Sequence, residues 1–246
     1  MSDNVLKKLF VVRKCARCSE ILAAGRIDEA FCPSCALDWS AALTESCPVC
    51  FKAAVECECM PPMLSKAGAL CLHRQFFYKS EDARNAPMSI IYWLKYKKSR
   101  RIVDFVARNL CDVVRAELDV LDVENGQVLV CGVPRSKRSR IKYGFDQSDM
   151  VARSLGKMLG VPYARVLKTR ISAKKQKELS KRERLANARA SIGLCKNADV
   201  TDKFVVLFDD MVTTGASMAA CTSLLLKSGA KGVLCFSLSS SIKAQR

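Results

Sequence analysis

Apolar and polar positions change period several times along the chain, and each change marks an element. Ala69–Tyr78 is apolar enough for a strand. Ala86–Tyr96 and Arg101–Leu118 repeat at the helical interval, the second placing Ile102, Phe105, Val106, Leu110, Val113 and Val114 on one face. Val128–Val133 is a short apolar run followed by a basic loop, and Ser148–Leu159 is helical with Gly160-Val161-Pro162 as its stop. Lys203–Phe208 is β-branched and aromatic; a Thr/Gly turn, a helix over Ser217–Lys227, a stop at Gly229 and a last strand Gly232–Leu238 follow. Strands alternating with helices predict an α/β fold, a parallel sheet covered on both faces. No repeat at solenoid periods and no low-complexity tract interrupts it.

The start of the chain obeys a different rule. Of 14 cysteines, eight fall between Cys15 and Cys59, and the rest are scattered singly. Pro61-Pro62 breaks the chain just after the cluster. The expected organisation is a cysteine-rich module over residues 1–62, a linker near 60–66, and a larger domain over 66–246.

Half of the 246 residues are apolar, which excludes a disordered chain. Lysine and arginine number 41 against 24 acidic residues, and the resulting +17 attracts polyanions: nucleotides, pyrophosphate or nucleic acid. The first residues lack the apolar stretch and cleavage site of a signal peptide, and no run is long enough to cross a bilayer. A reducing cytoplasm is the expected compartment, where clustered cysteines bind metal rather than form bridges.

Cys15-x2-Cys18, Cys32-x2-Cys35, Cys47-x2-Cys50 and Cys57-x-Cys59 are four knuckles. Two knuckles bring four sulfurs to one point, a tetrahedral set that suits zinc, and pairing neighbours in sequence gives two sites. Four thiolates leave no open coordination position, so the zinc is structural. One residue between Cys57 and Cys59 strains two ligands on one ion, which leaves the second site distorted or empty.

Val205–Phe208 runs into Asp209-Asp210, then Met211-Val212-Thr213-Thr214-Gly215-Ala216-Ser217. The turn's N–H groups, the start of the following helix and the hydroxyls of Thr213, Thr214 and Ser217 make an anion site. Gly215 lets the backbone approach a phosphate without a Cβ. Carboxylates accept hydrogen bonds from ribose hydroxyls, so a sugar phosphate satisfies both halves.

This segment is similar to the signature by which type I phosphoribosyltransferases bind phosphoribosyl pyrophosphate (PRPP). That resemblance gives Asp209 and Asp210 the ribose hydroxyls and Thr213, Thr214, Gly215, Ala216 and Ser217 the 5′-phosphate. The chain as a whole resembles the ComF (GntX-like) group. The matching stretches are the cysteine module, Leu94-Lys95-Tyr96, Val133-Pro134 and Tyr143-Gly144-Phe145-Asp146-Gln147-Ser148. Tyr143 stands where the group carries Arg, and Asp146 where it carries Asn.

The resemblance implies a double zinc ribbon followed by a Rossmann-like type I phosphoribosyltransferase domain. It further implies a glycosyltransferase of the pentosyl class that passes phosphoribose to an unnamed acceptor, with Mg²⁺ on the pyrophosphate. Cations for that pyrophosphate are expected from Arg135, Lys137 and Arg138, with Arg140 beside them, at the carboxyl end of a parallel strand. Arg165–Arg189, with Arg170, Lys174, Lys175, Gln176, Lys177, Lys181, Arg182 and Arg184, is expected to form a hood. His73 is expected to be structural. ComF-group proteins are associated with natural transformation, which leaves two alternatives open. One is a single-stranded-DNA-binding accessory of the DNA-uptake machinery, gripping through Lys95–Arg101 and Arg135–Lys142 with Tyr92, Trp93 and Tyr96 as stacking platforms. The other is a PRPP-sensing regulator without turnover.

Overall fold

The computed structural model describes residues 12–26, 28–78, 85–170, 188 and 190–241. Its elements begin with helix α1 (Pro33–Leu43), a one-turn helix α2 (Pro62–Ser65), strand β1 (Cys71–Phe77), α3 (Ala86–Tyr96) and α4 (Arg100–Val120). There follow β2 (Val128–Gly132), α5 (Lys137–Tyr143), α6 (Gln147–Leu159), β3 (Leu167–Thr169) and β4 (Ile192–Leu194). The last three are β5 (Phe204–Val212), α7 (Ala216–Lys227) and β6 (Gly232–Ser240).

The fold is α/β. A parallel sheet in the order β1-β6-β5-β2 forms its centre. Strands covered on both faces read as unbroken apolar runs, and that is how β2 and the first half of β5 read, whereas β1 is buried throughout yet carries His73, Arg74 and Gln75 at its centre. Val206, Phe208, Leu234 and Phe236 meet apolar residues of α3, α4 and α6 on one face. Val205, Leu207, Val233 and Cys235 meet those of α7 on the other. The strand period of two thus sorts neighbours into two cores.

Several boundaries have visible causes. Asn85 accepts from the Met88 N–H at 2.9 Å and Pro87 lies in the first turn, so α3 starts where its sequence says. Gly160 takes the left-handed conformation and stops α6. The basic loop expected after β2 is instead a short helix, α5, whose N-terminus is capped by Ser136 accepting from Ser139. Strands β3 and β4 form an antiparallel pair apart from the main sheet. Lys174–Arg184 and Arg189, most of the expected hood, lie outside the described residues; Arg165 and Arg170 lie within them.

The cysteine module shares a core with the sheet. Trp39 of α1 lies 5.7 Å from Phe76 of β1 and 5.3 Å from Phe105 of α4, centroid to centroid, and Phe31 lies 5.6 Å from Phe105. Trp93 donates to the Ala16 carbonyl at 3.0 Å, and Arg101 donates to the carbonyls of Lys14 and Glu29. No described helix is long and apolar enough to cross a membrane.

Candidate functional site

Strand β5 does not end at its two carboxylates. It pairs with β6 as far as Val212–Ser240, whereas its pairing with β2 stops at Phe208–Gly132. Asp209 and Asp210 therefore lie just beyond the end of β2, in the notch at the carboxyl edge of the sheet where α/β folds place ligands. The first turn of α6 fills the flank of that notch. Ser148 donates to Asp209 Oδ1 at 3.1 Å, and Gln147 donates to Asp210 Oδ2 at 3.0 Å.

Consecutive strand residues normally point to opposite faces, yet here two adjacent residues of one helix turn draw the two carboxylates together. Burial pushes the Asp209 carboxyl well above the ordinary carboxylate range, and the neighbouring Asp210 charge pushes it further. The pair resists carrying two full negative charges without a partner, as expected for acids waiting for donors.

Gly132 makes this arrangement possible. A Cβ there would stand 2.7 Å from the Ser148 carbonyl carbon and 2.8 Å from the Asp149 nitrogen. Only a bare backbone lets α6 lie this close to β2.

The turn after β5 opens α7. Gly215 is left-handed, with φ 76°, and is the residue before the helix. Thr213 and Ser217 are exposed and Thr214 is half-buried, with its Oγ1 accepting from the Ala216 N–H at 3.4 Å. The exposed Thr213 and Ser217 thus put hydroxyls at the start of α7, one turn of chain beyond the two carboxylates. The side of Gly215 that a Cβ would occupy belongs to Pro61, whose Cγ would be 3.1 Å away. The sequence reading gave that space to a phosphate, but it is filled by the chain itself.

Of the expected pyrophosphate cations, Lys137 and Arg138 are exposed at the start of α5. Arg135 is half-buried, its guanidinium 4.6 Å over the Tyr143 ring and 5.6 Å over that of Phe145, with Nη2 donating to the Lys95 carbonyl at 3.2 Å. Tyr143 therefore does not leave the loop without a cation; it supports the one that Arg135 brings. Asp146 caps α6, accepting from the N–H of Arg135 at 2.9 Å and of Asp149 at 3.4 Å. Burial raises its carboxyl pKa, and the two amides only partly offset this. Its carboxylate is committed to backbone amides rather than aimed at a ligand.

Sequence reasoning did not single out Asp149, Tyr163 and Arg165. Arg165 grips Asp149 with Nε at 2.9 Å and a second, shorter bond from Nη2, and Tyr163 donates to the same carboxylate. Burial alone would raise Asp149; the bonds from Arg165 and Tyr163 and the arginine charge outweigh it and lower its pKa. With Gly132, Pro134, Arg140, Asp146 and Leu167, Asp149 and Arg165 line a small cleft at the end of β2. Their spacing across a helix and a loop carries no pattern that a sequence reader could use.

The eight module cysteines gather as two groups of four, Cys15/Cys18/Cys32/Cys35 and Cys47/Cys50/Cys57/Cys59, each with all sulfurs within 4.8 Å of one another. Neighbouring knuckles pair, as expected, and the one-residue knuckle closes its group as tightly as the others. Cys18–Cys32 and Cys50–Cys57 are both 3.6 Å apart, close to the ~3.8 Å edge that a Zn–S bond of about 2.3 Å gives a tetrahedron. The donor chemistry fits zinc.

Arg74 supports the same conclusion for the second group: it is 1 % exposed and points Nη1 at Cys57 Sγ, 2.6 Å away. A buried guanidinium needs a counter-charge, and four metal-bound thiolates supply one. A third grouping, Cys71, His73 and Glu117, has one ligand atom of each within 4.8 Å. There His73 bonds Glu117 at 2.8 Å and stacks on Phe236.

No family model matches the chain. It is 28% identical to the DNA utilization protein YhgH of Escherichia coli (strain K12) over 224 residues, 88% of this chain and 86% of that one. Among solved structures it overlaps a purine phosphoribosyltransferase from Pyrococcus horikoshii with a TM-score of 0.34 at 18% identity, over 56% of this chain and 72% of that one. It overlaps a phosphoribosylpyrophosphate synthetase from Mycobacterium smegmatis with a TM-score of 0.35 at 20% identity, over 56% of this chain. That overlap spans about a third of the synthetase, 34% of its length.

Proposed function

We propose that the notch between β5, α6 and α7 binds PRPP and that the chain transfers phosphoribose from it to an acceptor. The observation that carries this reading is the convergence of Asp209 and Asp210 beside the outward-facing turn Thr213–Ser217. The carboxylates accept the ribose hydroxyls. The turn's N–H groups and the hydroxyls of Thr213, Thr214 and Ser217 hold the 5′-phosphate. Lys137 and Arg138, with Arg135 positioned by Tyr143 and Phe145, neutralise the pyrophosphate as it leaves. Asp209 and Asp210 are donors of the hard oxygen type that Mg²⁺ takes and would hold it with the substrate, where it would neutralise pyrophosphate charge.

PRPP with Mg²⁺ should raise the melting temperature. At a ligand concentration near 100 times Kd, stabilisation of about 2.7 kcal/mol corresponds to roughly 5–11 °C for a chain of this size. No shift at millimolar PRPP sinks the reading. If the shift occurs, a screen for PRPP-dependent pyrophosphate release across nitrogenous bases names the acceptor; binding with no release from any of them favours the sensor.

A second reading, a single-stranded-DNA-binding accessory, has one observation in its favour and is supported by the name of the Escherichia coli relative. Tyr92 and Tyr96, both about half exposed, form a ladder with Tyr143 at 5.2 and 5.4 Å. Lys95, Lys97 and Lys98 flank Tyr96 in the sequence, and Lys142 Nζ lies 5.1 Å over the Tyr143 ring. Exposed aromatics among cations stack unpaired bases. Tyr92→Ala with Tyr96→Ala should weaken oligonucleotide binding by about tenfold or more and leave the PRPP shift intact; unchanged DNA affinity removes this reading.

A further inference from the structure

The second four-cysteine group and the phosphate turn are joined by a very short piece of chain. Cys59 is followed by Met60 and then by Pro61, which lies against Gly215. Pro61 has φ −57° and ψ 138°; its ring fixes φ, and Pro62, which begins α2, holds ψ in the extended region. Leu64 of α2, fully buried, packs in the same core as Val212, Ala216, Met218 and Ala219 around the start of α7. The near end of this strut is riveted to the sheet: Arg74 of β1 donates to Cys57 Sγ, to the Cys57 carbonyl at 3.0 Å and to the Cys59 carbonyl.

From this geometry we infer that the metal centre formed by Cys47, Cys50, Cys57 and Cys59, acting through Arg74 and Pro61, positions the phosphate turn. With metal bound, the thiolates balance the Arg74 charge and the Cys57–Pro61 strap is held from both ends. Pro61 then braces Gly215 in its left-handed conformation, from which the N–H groups of α7 face outward. Without metal, Cys57 and Cys59 lose the ion that ties them to Cys47 and Cys50, and the strap and the turn loosen together. Among the described residues nothing joins the first group, Cys15/Cys18/Cys32/Cys35, to Gly215, and it serves as the internal control. The consequence for PRPP affinity rests on the function proposed above; the mechanical coupling does not.

Amide hydrogen exchange on the full-length protein separates the two. Cys50→Ser and Cys18→Ser each remove one zinc, counted by elemental analysis, from a different centre. Exchange in the segment 213–222 should rise about tenfold in Cys50→Ser while strand β2 keeps its protection, because exchange reports local opening. It should stay at the wild-type rate in Cys18→Ser.

Pro61→Gly keeps all eight cysteines and should reproduce the local effect with zinc content unchanged, so the idea remains testable even if Cys50→Ser fails to fold. PRPP affinity measured by calorimetry on the same proteins should fall in parallel. Wild-type exchange at 213–222 in Pro61→Gly, or loosening of 213–222 and β2 alike in Cys50→Ser, overturns the inference. A wild-type protein that binds no PRPP overturns the proposed function and leaves the exchange result to decide the coupling.

Discussion

Replacing Gly132 by alanine tests directly whether the approach of α6 to β2 sets the site. The new methyl would stand 2.7 Å from the Ser148 carbonyl carbon and 2.8 Å from both the Ser148 oxygen and the Asp149 nitrogen. All three are backbone atoms and cannot rotate away. An ordinary contact needs about 3.5 Å or more, so the first turn of α6 must retreat by roughly 0.7 Å or the strand must bend. Overpacking of this kind costs about 1–3 kcal/mol. The same retreat stretches Ser148–Asp209 and Gln147–Asp210, each a hydrogen bond to a carboxylate worth about 1.5–3 kcal/mol. If the two are half lost, the total is about 2.5–6 kcal/mol, a fall of roughly 5–24 °C in Tm.

Differential scanning calorimetry of the ligand-free protein reads the first part, and titration with PRPP and Mg²⁺ reads the second. Gly126→Ala is the matched control, since nothing lies within 4 Å of a Cβ at that position. A Gly132→Ala protein that melts with the wild type and binds PRPP equally well would refute the reasoning.

Three further outcomes follow from the same contacts. Asp209→Asn should abolish the PRPP-induced Tm shift yet stabilise the ligand-free protein at neutral pH. The folded-state pKa of Asp209 is raised, so its ionised form opposes folding; the gain should appear above that pKa and vanish as the pH falls through it, which a Tm series from pH 8 to pH 4 checks. Arg165→Met should cost about 1–3 kcal/mol near pH 7 by leaving the Asp149 carboxylate with two bonds fewer. Because the Asp149 pKa is lowered, that deficit is present above the ordinary carboxylate pKa and should close as the pH falls below it in acid titrations of both proteins. Elemental analysis should find about two zinc ions per chain; a metal-free folded protein would remove the metal from the account of both cysteine groups.

The sequence was most legible where chemistry and spacing coincide. Three two-residue knuckles announce a metal centre because no core packing requires that interval. Asp-Asp followed by Thr-Thr-Gly marks the site because a buried strand does not carry such residues without use, although β5 runs on through the carboxylates to Val212. Helix α3 is legible end for end because its apolar positions repeat at the helical interval from Ala86 to Tyr96.

What was missed depends on distance. Arg74 looks like an ordinary basic residue in an apolar strand, and only the folded chain shows that it reaches the second cysteine group. Helix α5 was taken for a loop because charges crowd its few residues and leave no apolar face. Strands β3 and β4 are three residues each, too short for any period to show. Asp146 looked like a charge misplaced beside a pyrophosphate, but its two backbone partners turn it into a cap.

Both margins of the main sheet are guarded, and by different means. Beyond β2, the stretch around Tyr163 lies alongside, with Val130 donating to the Pro162 carbonyl at 2.9 Å and Ala164 donating back to Val130 at 3.1 Å. Beyond β1, no further described strand joins the ladder; Phe77 is buried against Cys47, Ala54 and Cys57 of the metal-held segment. A strand margin stripped of its cover recruits strands from other molecules. A strong chelator would therefore bare β1 and drive the protein into self-association, with thioflavin-positive, concentration-dependent aggregates that added zinc prevents.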